Sequence, residues 1–410
     1  MAVNVSWFNR LAMIVVFAAS AFGQQNGFVT AKGRDIVDPE GRPLLLRGIN
    51  LGNWLVPEGY MFKFDSASSP RLINNVLCEL IGPDATREFW QKYRDTYVTR
   101  EDIRFIRNAG LNSIRVPFNW RLFVVDDDSN IWSGPGFEML DRVVGWCKEE
   151  GLWVILDMHC APGGQTGDNI DDGWGYPFLF EDRASQEKTI QLWQKIAERY
   201  CNEKTIIGYD LLNEPIAHYF DQSKLNPLLE PLYKRIALAM RRVDRNHVLF
   251  LGGAQWNTNF GVFGAPFDSN TVYTFHKYWC DTTQAMIQDY VSFSLRYNVP
   301  IWMGESGENK NGWIASWRRL QERNNIGWCF WPYKKMDSPS CMVTFDRPQG
   351  WDAIIKYANG PRSSFASIRS ARISADLVKL SLNDFLEQCS FRNCRRNDDF
   401  LRALGFEVRH

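Results

Sequence analysis

The chain has 410 residues, 45% hydrophobic and 23% charged, a balance that supports a packed core and excludes a disordered polyelectrolyte. Basic and acidic residues number 47 each, so the formal charge is 0, and no basic stripe with interleaved aromatics marks a nucleic-acid footprint. One large domain or two ordinary ones fit this length.

Arg10 precedes the apolar run 11–19, and Ala21 and Gly23 place small residues just before Gln24. Residues 1–23 therefore read as a secretory signal, which makes the product secreted. The run is shorter than the ~18–20 residues that span a bilayer, and no membrane association is expected after cleavage.

The segment 34–43 reads as a hairpin turning on Asp38-Pro39-Glu40-Gly41. Strand-like apolar runs follow at 44–50, 113–117, 153–158, 206–212, 248–252, 272–276, 300–303 and 327–331. Helical periodicity appears at 100–108, 136–150, 185–200, 225–243, 283–297, 313–324 and about 352–358. The helix 185–200 shows the pattern well, with Ile190, Trp193, Ile196, Ala197 and Tyr200 on one face. Continuous rather than alternating apolar strands imply burial on both faces. Alternating strands and helices of this number predict an α/β fold, a (β/α)8 TIM barrel with an N-terminal hairpin and a C-terminal helical extension. The domain reading is 24–360 for the barrel and 361–410 for the extension, whose helix spans 375–387.

Nine cysteines follow the expected signal, an odd number that leaves at least one unpaired within the chain. Cys147, Cys201 and Cys329 fall in apolar patterns and read as small buried hydrophobes. Cys389 and Cys394 are close enough in sequence for a local bridge. No Cys-x-x-Cys or His-x-x-x-His spacing points to a structural metal, and no cofactor is expected.

In such a barrel the chemistry sits at the C-terminal strand ends. Those ends carry Asn50, Trp54, Arg115, Asn119, His159, Asn213, Glu214, His276, Tyr278, Glu305 and Trp331. Two glutamates, Glu214 after the fourth run and Glu305 after the seventh, are the minimum equipment for cleaving a glycosidic bond. The loop 160–182 is long, acidic and aromatic, with Asp168, Asp171, Asp172, Trp174 and Tyr176. Long barrel loops often shape substrate sites, and without EF-hand spacing the acidic residues do not read as a calcium loop.

Seven stretches fall in one order: 47–54 (Arg-Gly-Ile-Asn-Leu-Gly-Asn-Trp), 114–117 (Ile-Arg-Val-Pro), 157–159 (Asp-Met-His), 212–215 (Leu-Asn-Glu-Pro), 275–278 (Phe-His-Lys-Tyr), 304–306 (Gly-Glu-Ser) and Trp331. On these the sequence resembles glycoside hydrolase family 5, the cellulase-type retaining β-glycosidases. The stretches 50–58 and 161–165 resemble its exo-β-1,3-glucanase-like branch. The resemblance implies Glu214 as acid/base and Glu305 as nucleophile. It implies supporting roles for Arg115, Asn213, His276 and Tyr278, and substrate contacts for His159 and Trp331. Glu58, Asn119 and Trp174 are further candidates for substrate contact, and Trp256 and Trp279 for outer stacking platforms.

The expected activity is hydrolysis of β-glucans or their oligosaccharides by double displacement, in a monomer. The rivals are a β-mannanase or other β-glycan hydrolase on the same fold, and a barrel that binds polysaccharide without cutting it. Pro332, directly after Trp331, departs from the family pattern.

Overall fold

A computed structural model describes residues 27–128 and 131–407; the expected signal 1–23 lies outside them. The first strands, β1 (Thr30–Lys32) and β2 (Asp35–Val37), form an antiparallel hairpin that turns at Gly33. The hairpin expected over 34–43 follows it, with Leu44 N–H on Ile36 O (2.8 Å) and Asp38 N–H on Arg42 O (2.9 Å). Asp38–Gly41 forms its turn, closed by Gly41 N–H to Asp38 O (2.8 Å) and the Val37–Pro43 bridge.

The eight expected runs become β3 (Arg47–Asn50), β4 (Ser113–Asn119), β5 (Trp153–Cys160), β6 (Ile206–Asp210), β7 (Val248–Gly252), β8 (Thr271–His276), β9 (Ile301–Glu305) and β10 (Gly327–Phe330). All pair in parallel, and β10 closes on β3, so the molecule is a (β/α)8 barrel. Ile155, Ile207, Phe250 and Trp302 fill its interior together with Val29 and Ile36 of the hairpin. The strands' buried faces therefore leave only the C-terminal mouth for chemistry.

The helices are α1 (Pro70–Ile81), α2 (Pro83–Tyr97), α3 (Arg100–Asn108), α4 (Gly136–Glu150), α5 (Arg183–Tyr200), α6 (Gln222–Arg241), α7 (Gln288–Tyr297), α8 (Asn311–Arg323), α9 (Trp351–Asn359), α10 (Phe365–Ala371), α11 (Ala375–Gln388) and α12 (Asp398–Ala403). The sequence reading assigned nothing to α1 and α2, a helical insertion between β3 and α3. Ser69 caps α1, its hydroxyl accepting from Leu72 N–H with Pro70 at the first position. Between β7 and β8 there is no long helix, only the short turns Ala254–Asn257 and Phe260–Val262.

Beyond the barrel, β11 (Lys334–Met336), β12 (Val343–Phe345) and β13 (Arg395–Arg396) form a small sheet that ties the C-terminal residues to the end of β10. Phe385 of α11 stacks on Phe62, centroids 5.2 Å apart, within the same core as the barrel helices. Lys334 is fully buried; its Nζ pairs with Asp102 Oδ1 (2.8 Å) and donates to Tyr97 O and Cys389 O. Removing one member of a buried pair strands the other, at a cost of about 3–5 kcal/mol. Lys334→Met is expected to lose about that much in denaturant unfolding; a midpoint unchanged from wild type would refute it.

All nine cysteines are free thiols. Cys389 and Cys394 form no bridge; the Cys394 thiol instead lies 3.4 Å from Ser390 O. Cys147 and Cys329 are buried as expected, whereas Cys201 is only partly covered at the end of α5. Among the described residues no helix is long and apolar enough to cross a membrane.

Candidate active site

At the barrel mouth, one guanidinium meets three carboxylates. Arg115, on β4 and fully buried, sends Nε to Asp210 Oδ2 (2.9 Å), Nη2 to Asp157 Oδ1 (3.0 Å) and Nη1 to Glu305 Oε1 (2.5 Å). Its remaining hydrogen bonds reach Asn50 Oδ1 (3.0 Å) and Asn213 Oδ1 (2.9 Å). The rigid fork of arginine thus serves four hydrogen-bond acceptors at once and pairs by charge alone with Asp157 Oδ1. Desolvation opposes the charge, but Asp157, Asp210 and Glu305 outweigh it and raise the Arg115 pKa.

The carboxylates outnumber the cation. Burial pushes Asp157 and Asp210 each up to about 7, with Arg115 opposing. A folded carboxyl with a raised pKa holds protons that the unfolded chain has released. Its contribution to stability therefore falls as pH rises from about 4 to about 7. Asp210→Asn removes one such group and keeps an acceptor for Arg115. Its melting temperature is expected to fall less between pH 5 and pH 8 than the wild type's; parallel pH dependences would refute this.

Glu305 ends β9, and a register shift aims it. Phe275 pairs with Met303 but His276 with Glu305, leaving Gly304 as the extra residue of a bulge. A Cβ at Gly304 would lie 2.4 Å from Thr274 Oγ1 and 2.8 Å from His276 Nε2, so glycine allows the close approach of β8 and β9. A similar shift between Phe118 and Asn119 makes His159 the extra residue of β5. Glu305 accepts from Arg115 through one oxygen and from Tyr278 OH (3.0 Å) through the other.

Glu214 Oε1 lies 2.9 Å from His276 Nδ1, which is 3.7 Å from Glu305 Oε2. Ligand atoms of Glu214, His276 and Glu305 all lie within 4.8 Å of one another. Burial raises both glutamates, but unequally. Glu214 is driven well above the ordinary range by desolvation and then by the facing charge of Glu305. Glu305 is raised by desolvation and held down by Arg115. The proton thus rests more readily on Glu214. Burial lowers both histidines, His159 to about 3 and His276 well below its ordinary value, so both rings are neutral in the working range.

The turn carrying Glu214 is strained. Its φ is 45°, and Ile216 follows at 57°, in the left-handed region that costs a side chain about 1–3 kcal/mol. A clamp from the β5 loop holds it. Gln165 Nε2 donates to Asn213 O and His159 O (both 2.8 Å), and its Oε1 accepts from Ala161 N–H. Thr166 Oγ1 donates to Glu214 O (2.8 Å), and Ile216 and Ala217 N–H bond the backbone of Gln165 and Thr166. The sequence reading named neither Asp210 nor Thr166 and gave Gln165 no role. Asp210 was findable, since a carboxylate inside an apolar strand demands a cation.

Trp331 is 4% exposed at the end of β10. Its ring lies parallel to that of His159 (5.5 Å, 8°) and over Gly52, and its Nε1 donates to Tyr60 OH (2.8 Å). The Trp331–Pro332 peptide is cis. His159 Nδ1 meets Asp157 Oδ2 at 2.8 Å. Glu58 is buried beside this group; its Oε1 has no partner among the described residues, and burial followed by Glu305's charge raises it well above the ordinary range.

Two candidates sit elsewhere. Asn119 spends its amide on Asp172 Oδ2 (3.0 Å) and its carbonyl on Arg121 N–H. Trp174 is 62% exposed and lies under the Arg71 guanidinium at 4.1 Å. The acidic loop is internally spent, with Asp171 accepting from the N–H groups of Thr166, Gly167 and Gly173. Metal-like trios exist at Asp157, His159 and Glu305 and at Glu214, His276 and Glu305. Both share Glu305, one of whose oxygens accepts from Arg115 and the other from Tyr278.

A parallel barrel whose mouth holds two close carboxyls, one biased to carry a proton and one braced by arginine, defines the glycoside hydrolase class. Within that class the chain belongs to glycosyl hydrolase family 5, whose cellulase model matches residues 78–337. It is 33% identical over 290 residues to a β-xylosidase of Phanerodontia chrysosporium, covering 70% of this chain and 59% of that protein. It is 28% identical over 277 residues to a glucan 1,3-β-glucosidase of Lachancea kluyveri, covering 63% and 62% respectively. The chain thus spans less than two thirds of both relatives. The solved rutinosidase of Aspergillus niger shares the fold at TM-score 0.57 and 17% identity, over 71% of this chain and 90% of that one.

Proposed function

We propose that the chain is a secreted retaining β-glycosidase that hydrolyses β-glucans or glucan oligosaccharides by double displacement. The carrying observation is the separation of the two glutamates, whose facing oxygens lie within 4.8 Å. Retaining enzymes hold their carboxyls about 5–5.5 Å apart, whereas inverting ones need ~6.5–9.5 Å to admit a water.

Glu305 attacks the anomeric carbon while the glycosidic C–O bond breaks and Glu214 gives its proton to the departing oxygen. Water then attacks the glycosyl–enzyme; Glu214 takes a water proton, and the Glu305 ester oxygen leaves. Arg115 and Tyr278 hold Glu305 as an anion ready to attack. Asn213, oriented by Arg115, meets the sugar 2-hydroxyl, a contact that tightens as oxocarbenium character develops. His276 positions Glu214. Trp331 forms the apolar floor under the sugar, His159 and Glu58 take its hydroxyls, and Asn119 and Trp174 act only on remote parts of a longer substrate.

The export signal at 1–23, the barrel at 24–360 and the extension at 361–410 complete the reading, with the enzyme acting as a monomer. The test is proton NMR of the first sugar released: the β-anomer is expected, and initial α-anomer overturns the mechanism. The likeness to a β-xylosidase favours a second reading, another β-glycan as substrate. A reducing-sugar screen over laminarin, cellulose, glucomannan and xylan separates the two, and no product from any of them would leave only a binding barrel.

A further inference from the structure

Beside the mouth, the α1–α2 insertion and the turn after β4 enclose a hollow of about 240 Å³. That volume suits one sugar ring rather than a drug-sized ligand, for which ~300–1,000 Å³ is usual. Its rim includes Pro57, next in sequence to Glu58, whose carboxyl feels the charge of Glu305. Trp90 forms one wall, its indole N–H held by Asn74 Oδ1 (3.1 Å), which fixes the plane of the ring. A wider groove shares Trp90, Arg94 and Arg121 with this hollow.

Five arginines line these two spaces, and four have side-chain hydrogen-bond or ion-pair partners, although Arg71 Nε has none. Arg71 donates to Gly173 O, Arg87 pairs with Asp84, Arg121 with Asp127 and Asp172, and Arg142 with Asp95. Arg94 alone has neither a side-chain hydrogen bond nor an ion pair among the described residues; its carbonyl accepts from Trp54 Nε1 (2.9 Å). Burial lowers its pKa, and arginine still keeps its charge. A partly buried guanidinium without a protein acceptor is free to take an incoming carboxylate by two parallel hydrogen bonds.

We propose that this hollow is a separate carbohydrate subsite for a carboxylate-bearing pyranose, a uronate residue, with its apolar face on Trp90 and its carboxylate on Arg94. A pyranose supplies the flat C–H face the indole requires, and the unpaired cation selects the acid over the neutral sugar. Asn119, which the sequence placed among substrate contacts, lines this hollow rather than the catalytic centre. The inference presumes a glycan substrate as proposed above, and its test reads binding instead of turnover, so the two can fail separately.

Methyl β-glucuronide, methyl β-glucoside and inorganic phosphate are titrated into the full chain and into Arg94→Gln by calorimetry, with Arg94→Lys as a second variant. The glucuronide is expected to bind wild type at least ~10-fold more tightly than Arg94→Gln, with Arg94→Lys between them, since lysine keeps charge but loses the fork. Glucoside and phosphate should both bind more weakly than the glucuronide. Turnover of a neutral aryl β-glucoside should be equal in all three proteins. Absent glucuronide binding, equal binding to wild type and Arg94→Gln, or phosphate matching the glucuronide would each overturn the subsite. So would loss of aryl glucoside turnover in Arg94→Gln, which would place Arg94 in the catalytic apparatus or the fold.

Discussion

Glu305→Gln is expected to abolish turnover of every β-glycoside, by more than ~10⁴-fold, whereas Glu214→Gln should spare the first step on substrates with good leaving groups. The two carboxyls differ in what surrounds them. Glu305 is gripped by Arg115 and Tyr278, which favour the anion, while Glu214 meets a neutral His276 and the charge of Glu305. Without Glu305 no covalent intermediate forms, and no leaving group can compensate. Without Glu214 the missing item is a proton, worth about 10²–10⁴-fold, which a dinitrophenolate does not need. A dinitrophenyl glycoside should therefore give Glu214→Gln a burst followed by slow turnover. Azide, as a substitute nucleophile in the second step, should restore turnover and yield a glycosyl azide. Equal losses in both variants on the activated substrate would reverse or dissolve the assignment.

Arg115→Met carries the second large effect, on both stability and pH response. It leaves Asp157, Asp210 and Glu305 buried without their shared cation, which costs about 3–5 kcal/mol when the carboxylates are charged. The two aspartates can escape by taking protons, so the deficit should be small near pH 5 and full near pH 8. Activity moves the same way for a different reason. Losing the positive neighbour raises the Glu305 pKa, and since Glu305 works as an anion, the ascending limb of the rate profile should shift to higher pH. Arg115→Lys keeps the charge but cannot hold Asp210, Asn213 and Glu305 together, and should lie between the two. Denaturant titrations at pH 5 and 8, with a pH–rate profile, test both halves. A stability loss independent of pH would show that packing, not charge, sets the role of Arg115.

The barrel was legible because its strands are buried on both faces and so write unbroken apolar runs. The two glutamates at the mouth were legible because polar residues at the ends of such runs have no packing reason to be there. Of the missed helices, α1 carries an ordinary apolar stripe, Ile73, Val76, Leu77 and Leu80, that the sequence reading passed over, whereas α2 has a different signature. The buried stripe of α2 is Thr86, Phe89, Tyr93 and Tyr97, hydroxyl-bearing and aromatic, which an apolar period passes over. Asp-Pro-Glu-Gly announced the turn at 38–41, whereas the preceding turn between β1 and β2 rests on Gly33 alone, with its φ of 57°. Asn119 has the right residue type at a strand end, but its amide closes a local network with Asp172 and Arg121. Sequence position reveals which residues reach the mouth; only the folded chain shows which of them still have a hydrogen bond to offer.

The left-handed backbone at Glu214 has a bearing on how mutational scans of this site should be interpreted. Most side chains are uncomfortable there, and glycine, asparagine and aspartate are at ease. A library ranked by expression or heat resistance would therefore favour Glu214→Gly or Glu214→Asn, variants without the acid/base, while β-branched replacements would be discarded for a steric reason unrelated to catalysis. Selection for robustness alone would erase the proposed proton donor. Its persistence in a folded, well-packed chain would have to be maintained by selection on turnover.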